Sequence, residues 1–139
     1  MKVKLDKGAF MPTRAHAEDA GLDLKTPFKV SVAQNGGSVV IDTGVHMEIP
    51  DGYFGKIEGK SGLNVNHGIV ACGGVIDCGY TGSIVVKLYN FGKIPYVFKK
   101  GDKIAQLILI PCIAPELEQV EELTTQSERG DNGFGSTGR

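Results

Sequence analysis

The feature that most limits what this chain can fold into is a series of short apolar runs with a period of two. Each run is cut off within a few residues by glycine, proline, asparagine or aspartate. Phe28, Val30 and Val32 alternate with Lys29, Ser31 and Ala33. Val45, Met47 and Ile49 alternate with His46, Glu48 and Pro50, and Ile84, Val86 and Leu88 with Val85, Lys87 and Tyr89. Successive side chains of a strand point to opposite faces, so such runs belong to half-buried strands rather than helices. Between them stand Asn35-Gly36-Gly37, Pro50-Asp51-Gly52, Asn90-Phe91-Gly92-Lys93 and Lys100-Gly101-Asp102. Many short strands with frequent turn signals predict an all-β sandwich or barrel, with a jelly roll among the candidates. Helix is scarce: a turn or two after Ser61, and a stretch from Pro115 to Leu123.

The 139 residues suit one compact domain, and 41% apolar with 22% charged residues can build a core. A net charge of −1 provides no overall field for nucleic acid or an anionic membrane, yet leaves room for a local basic pocket. The absence of Trp weakens a stacking platform for long single strands. Met1 to Gly8 holds no apolar run of the signal-peptide kind, and Ile104 to Ile113 is interrupted by Gln106 and Pro111. A soluble protein of the cytoplasm or another intracellular compartment is therefore expected, with no membrane partner. Cys72, Cys78 and Cys112 are odd in number and lack C-x-x-C spacing, so reduced core thiols are expected. His16, His46 and His67 lie too far apart in sequence to suggest zinc.

Five segments carry residue types with chemical potential. Ala20-Gly21-Leu22-Asp23-Leu24 puts an acid between leucines of one strand face, which reads most simply as a strand with Asp23 outward. Gly59-Lys60-Ser61-Gly62-Leu63 sets a cation beside a hydroxyl in a glycine-flanked turn; it suits phosphate oxygens or a purely structural turn, and it lacks the Walker spacing. Gly73-Gly74-Val75-Ile76-Asp77-Cys78-Gly79-Tyr80-Thr81-Gly82 reads as a hairpin around a tight loop, before a strand beginning at Ser83. Its main chain could read a base edge; Asp77 could serve as a general base or merely cap a turn, and Tyr80 could be a half-buried aromatic with its hydroxyl at the surface. Gly101-Asp102-Lys103-Ile104-Ala105-Gln106-Leu107 is a turn into a buried strand, where the Gln106 amide must find a main-chain or ligand partner. The stretch after Leu123 holds one large apolar residue, Phe134, and reads either as a disordered tail or as an arm that orders over a polyphosphate.

Taken in order, the five segments resemble the motifs of the trimeric dUTPase family. Ala15 through Leu24 match A-x-x-x-x-A-G-x-D-L, Gly74 to Gly82 match G-V-I-D-x-x-Y-x-G, and Gly101 to Leu107 match G-D-x-I-A-Q-L. Arg129 to Gly138 match R-G-x-x-G-F-G-S-T-G, while Gly59 to Leu63 carry Lys60-Ser61-Gly62 where the family usually has arginine first. That departure matters, because an ammonium lacks the two-pronged geometry of a guanidinium.

The resemblance implies a jelly-roll-like, distorted β-barrel subunit over residues 1–123 and a flexible Gly-rich arm over 124–139. It implies a homotrimer whose active sites are shared between chains, hydrolysing dUTP to dUMP and pyrophosphate. Such an activity keeps uracil out of DNA and supplies dUMP for dTMP synthesis. Gly74, Val75 and Ile76 would bind uracil through main-chain groups, and Tyr80 would pack beneath the deoxyribose. Asp77 would activate a water for in-line attack on the α-phosphorus. Lys60, Ser61, Gly62 and Gln106 would hold phosphate oxygens. Asp23 would support Mg²⁺ through water, with no direct protein ligand. Arg129, Gly135, Ser136 and Thr137 would clamp the terminal phosphates while Phe134 lies over the base. Two rival readings are a dCTP deaminase on a related fold and a non-enzymatic jelly-roll binding protein. The Gly-Val-Ile-Asp-x-x-Tyr segment and the full tail favour the diphosphatase.

Overall fold

The computed structural model describes residues 1–123. Along the chain run β1 (Val3–Leu5), β2 (Gly21–Lys25), β3 (Val30–Val32), β4 (Gly37–Asp42), β5 (Val45–Met47) and β6 (Tyr53–Glu58). Then come α1 (Ser61–His67), β7 (Ile69–Cys72), β8 (Val75–Ile76), β9 (Val85–Asn90), β10 (Tyr96–Phe98) and β11 (Lys103–Pro111). Every pairing is antiparallel: a four-stranded sheet β2-β11-β6-β8, a three-stranded sheet β4-β9-β7, and the small pairs β1-β5 and β10-β3. All of them line one apolar core except β1, whose Val3 packs against it from the margin. Among the described residues no helix is long and apolar enough to cross a membrane.

The period-two runs explain this core directly. Ile84, Val86 and Leu88 are fully buried, as are Val32, Val45, Ile104 and Leu107. The long central strand β11 lies between β2 and β6, with Leu107 opposite Leu22 on one side and Ile57 on the other. Ile104 and Ala105 are both buried, although neighbours on a regular strand face opposite ways. A break in the β11–β2 register between Lys103 and Ala105 resolves this: a bulge turns the start of β11 by one residue.

Four expectations need correction. Pro115 to Leu123 forms no helix; every residue of the segment is exposed, Leu117 to 96%. So short a segment, carrying Glu116, Glu118, Glu121 and Glu122, has neither tertiary packing nor favourable charge pairs to sustain a helix. Gly73 to Gly82 is not a hairpin: β8 pairs with the distant β6, and the chain then crosses to the other sheet, where β9 begins at Val85. Cys72, Cys78 and Cys112 are free thiols, as expected, but all are exposed rather than in the core. Asp23, read as outward, is buried.

Leu107 fills the gap between three strands, its side chain against the Cα of Gly55. Leu107→Ala should cost about 2–5 kcal/mol in chemical denaturation, with the m-value unchanged. A loss below about 1 kcal/mol would mean that the sheet closes over the cavity.

Candidate functional site

The pairing of β11 brings three of the sequence segments together. Gln106 lies across from Asp23 on β2 and from Glu58 on β6. Beyond Glu58 the chain passes through Gly59 and Lys60 into α1, so Ser61 and Gly62 open the helix beside the same strand end. The half-buried Gln106 amide donates to the Gly59 carbonyl at 2.9 Å, which supplies the main-chain partner the sequence called for. Gly21 makes this placement possible: a Cβ there would stand 2.0 Å from the Gln106 Oε1.

Asp23 is the electrostatic centre of the cluster. Leu22 and Leu24 turn into the core while Asp23, 4% exposed, turns the other way under the segment at Thr13, whose carbonyl accepts its N–H at 2.8 Å. Lys60 donates to Oδ1, and the Lys103 ammonium lies 2.6 Å from Oδ2. Burial alone raises the Asp23 carboxyl, but the hydrogen bonds and charges of Lys103 and Lys60 outweigh it and hold the group below its ordinary value. Lys60, expected on phosphate oxygens, is tied to Asp23 in this structure.

Around this ion triplet lies a cleft of about 730 Å³, lined among others by Asp19, Ser61, Gly62, Asn66, Lys103 and Gln106. Lys103 was missed from sequence because strict alternation sends it away from Gln106. The bulge at Ile104 returns it to the same face.

A second concavity, of about 320 Å³, shares no lining residue with the first. Val75, Ile76, Asp77, Tyr80, Ser83 and Val85 form it, with Gly73 at its back. Among the described residues β8 is the edge of its sheet, so one row of its main-chain groups is not used in strand pairing there. Ile76 anchors that edge in the core while Val75 is 56% exposed. Tyr80 is 45% exposed, and its hydroxyl donates to the Ser83 carbonyl at 3.1 Å. The ring lies so close over Gly82 that a Cβ there would meet its oxygen at 2.2 Å. Asp77 is exposed, and among the described residues its carboxylate takes no hydrogen bond.

Over residues 7–138 the chain matches the family model described as dUTPase. It belongs to the dUTPase family. The deoxyuridine 5'-triphosphate nucleotidohydrolase of Rattus norvegicus is 42% identical over 99% of this chain, which spans 66% of that protein. The enzyme of the same name from Anaplasma marginale is 42% identical, with 99% of each chain covered. Among solved structures, the Staphylococcus bacteriophage 80alpha dUTPase with dUpNHpp has a TM-score of 0.89 at 34% identity, covering 99% of this chain and 98% of its own. A mutant dUTPase from phage phi11 of S. aureus, described for its structural Mg(II) ion, has a TM-score of 0.80 at 30% identity, covering 89% and 98%. These likenesses fix the fold as the jelly-roll-like dUTPase subunit and favour the diphosphatase over the dCTP deaminase alternative.

On this dUTPase scaffold, Asp23, Lys60, Ser61, Gly62 and Gln106 share one cleft, while Val75, Ile76, Asp77 and Tyr80 share another. Gly74 lies at the turn into β8, its carbonyl accepting the Ile57 N–H at 3.1 Å. Arg129, Phe134, Gly135, Ser136 and Thr137 lie outside the described residues.

Lys103→Met should lower stability by on the order of 1 kcal/mol near neutral pH, a modest loss because Lys103 is 43% exposed and screened by solvent. Pairing depresses the Asp23 pKa in the folded state. Its contribution is therefore present above the ordinary value of 3.8 and lost as pH falls through the folded value. Urea titrations of both proteins should show the deficit near pH 7 and its decline at strongly acidic pH. A deficit independent of pH would place the effect elsewhere.

Proposed function

We propose that the chain hydrolyses dUTP to dUMP and pyrophosphate at sites built from its two clefts, each supplied by a different copy of a homotrimer. The observation that carries this reading is the division of chemistry between them. One cleft has two ammonium groups, a hydroxyl and a carboxamide and suits a polyphosphate. The other has an open strand edge, an aromatic ring and an unengaged carboxylate, which suit a base, a sugar and a water. Neither is sufficient alone, and a second copy supplies what the first lacks.

In this scheme the free edge at Val75 and Ile76, entered through Gly74, reads the uracil with main-chain donors and acceptors and leaves no space for a thymine methyl. Tyr80 lies beneath the deoxyribose and excludes a ribose hydroxyl. Ser61, the Gly62 N–H and Gln106 hold phosphate oxygens. Lys60 and Lys103 stay on Asp23 and still have N–H donors to spare, since an ammonium carries three. Asp77 accepts a proton from water as its oxygen bonds to the α-phosphorus, and the bond to the bridging oxygen breaks to release pyrophosphate. Alignment and charge dispersal dominate such a transfer. We assign residues 124–139 as an arm that closes the site, with Arg129, Gly135, Ser136 and Thr137 on the terminal phosphates and Phe134 over the base. Closure excludes bulk water.

The donor set also fits Mg²⁺. Both Asp23 oxygens keep lone pairs beyond their lysine contacts and can accept from the water shell of a cation carried by the triphosphate. Among the described residues no three His, Cys, Asp or Glu side chains converge as direct ligands. When bound, the ion disperses charge on the phosphates and improves the leaving group.

Asp77→Asn keeps the size of the side chain and removes the base. It should leave dUTP binding within a few-fold and lower kcat by roughly 10²-fold or more, measured as pyrophosphate release. Full activity would remove Asp77 from the mechanism.

A further inference from the structure

The loop from Asp77 to Ser83 carries both the proposed base and the sugar-facing Tyr80, and few contacts hold it. Among the described residues, three side chains from elsewhere in the chain reach it. Asp51 accepts from the Cys78 thiol at 3.1 Å, Asp42 accepts from the Ser83 hydroxyl, and the His46 ring meets the Thr81 carbonyl at 2.8 Å. The His46 contact falls midway between Tyr80 and Gly82, the pair whose close fit sets the ring.

The geometry of His46 restricts its protonation. Nδ1 faces the Thr81 carbonyl and Nε2 faces the Asp6 carboxylate at 3.1 Å. A carbonyl oxygen and an ionised carboxylate only accept, so both ring nitrogens must donate if both bonds are made. Only the imidazolium carries two N–H groups. Strand pairing holds the ring in place: β5 lies against β1, with His46 opposite Lys4, and the Asp6 N–H donates to the Gly44 carbonyl at 2.8 Å.

We propose that His46 is a positioning residue which, as a doubly donating imidazolium bridging Asp6 and the Thr81 carbonyl, holds the Tyr80–Gly82 loop in the shape that selects the sugar. The role rests on the reading of Tyr80 as the sugar-facing group. It also explains why position 81 carries no chemistry of its own: the contact is to its main chain, so any side chain serves. Deprotonation of the ring gives up one bond. Either the loop loses its strut, or the ring loses the carboxylate that orients it.

The charged surroundings favour the cation. Asp6 faces Nε2, and Asp42 at the end of β4 acts on the ring at longer range. Lys4 across the strand pair opposes them, while Lys2 and Glu48, which line the same groove, pair with each other at 3.1 Å. The Thr81 carbonyl and then Asp6 raise the His46 pKa above its ordinary 6.5, against desolvation and Lys4. The strut is thus complete below pH 6.5 and is lost as pH rises through the higher folded value.

The test combines NMR titration of the His46 ring with kcat/KM for dUTP and UTP across mildly acidic to alkaline pH. The trials use the whole protein, His46→Gln and Asp6→Asn. The ring should titrate above 6.5, and the amide signals of Tyr80, Thr81 and Gly82 should move with it. The dUTP preference should fall several-fold through the same midpoint. Asp6→Asn should move both midpoints down by about half a unit or more. His46→Gln should show a low preference that no longer depends on pH in this range. If His46→Gln does not fold, the Asp6→Asn shift decides. A ring midpoint at or below 6.5, loop amides that ignore it, or an unchanged pH dependence in His46→Gln would overturn the proposal. Tyr80→Ala separates the two levels: an unaltered preference there removes the sugar reading, while the amide titration still reports on the strut.

Discussion

A buried carboxylate is unfavourable unless it is paired, and that constraint organises the polar half of this molecule. Asp23 is buried on the face of β2 turned away from the apolar core, and it draws Lys60 from the turn after β6 and Lys103 from the start of β11. Three stretches remote in sequence thereby converge on one point. The same pairing leaves a cleft rich in N–H donors, since each ammonium uses only part of its capacity on Asp23. A fold whose core is built by apolar alternation thus acquires a phosphate-type pocket from a single acid on the face that alternation turns away from the core.

The half we assign to the nucleoside depends on space rather than charge. Gly82 leaves the room in which the Tyr80 ring lies, as Gly21 does for the Gln106 amide. β8 contributes an edge with open main-chain groups because, among the described residues, its only sheet neighbour is β6. The two halves obey different physics on different parts of the surface, and that separation is the ground on which we propose a site shared between copies. The proposed His46 strut extends the same logic, for it fixes a main-chain carbonyl in a loop that has little packing of its own.

The sequence made the core legible because alternation at Ile84, Val86, Leu88 and the β11 run translates directly into burial. It also made Gln106 legible, as a polar side chain in an apolar strand. Lys103 stayed hidden because a bulge shifts the period by one residue, and no local composition marks where that happens. The stretch from Gly73 to Gly82 looked like a hairpin because its glycines resemble turn signals, whereas the partner of β8 lies far back in sequence on β6. Exposure of the cysteines and the lack of a helix over Pro115 to Leu123 were equally out of reach, because both depend on what the rest of the fold leaves uncovered. The order of the five segments identified the family where no single segment would have done so.

The central claim is that the two clefts act together only across different copies of the chain, and mixing of subunits tests it most directly. One inactive variant carries Asp77→Asn and an intact phosphate cleft; another carries Ser61→Ala with Gln106→Ala and an intact Asp77. Unfolding and refolding the two together should restore a substantial part of dUTP hydrolysis, since some sites then receive an intact half from each partner. Mixed oligomers that form, as shown by mass spectrometry, yet remain as inactive as either parent would contradict the account.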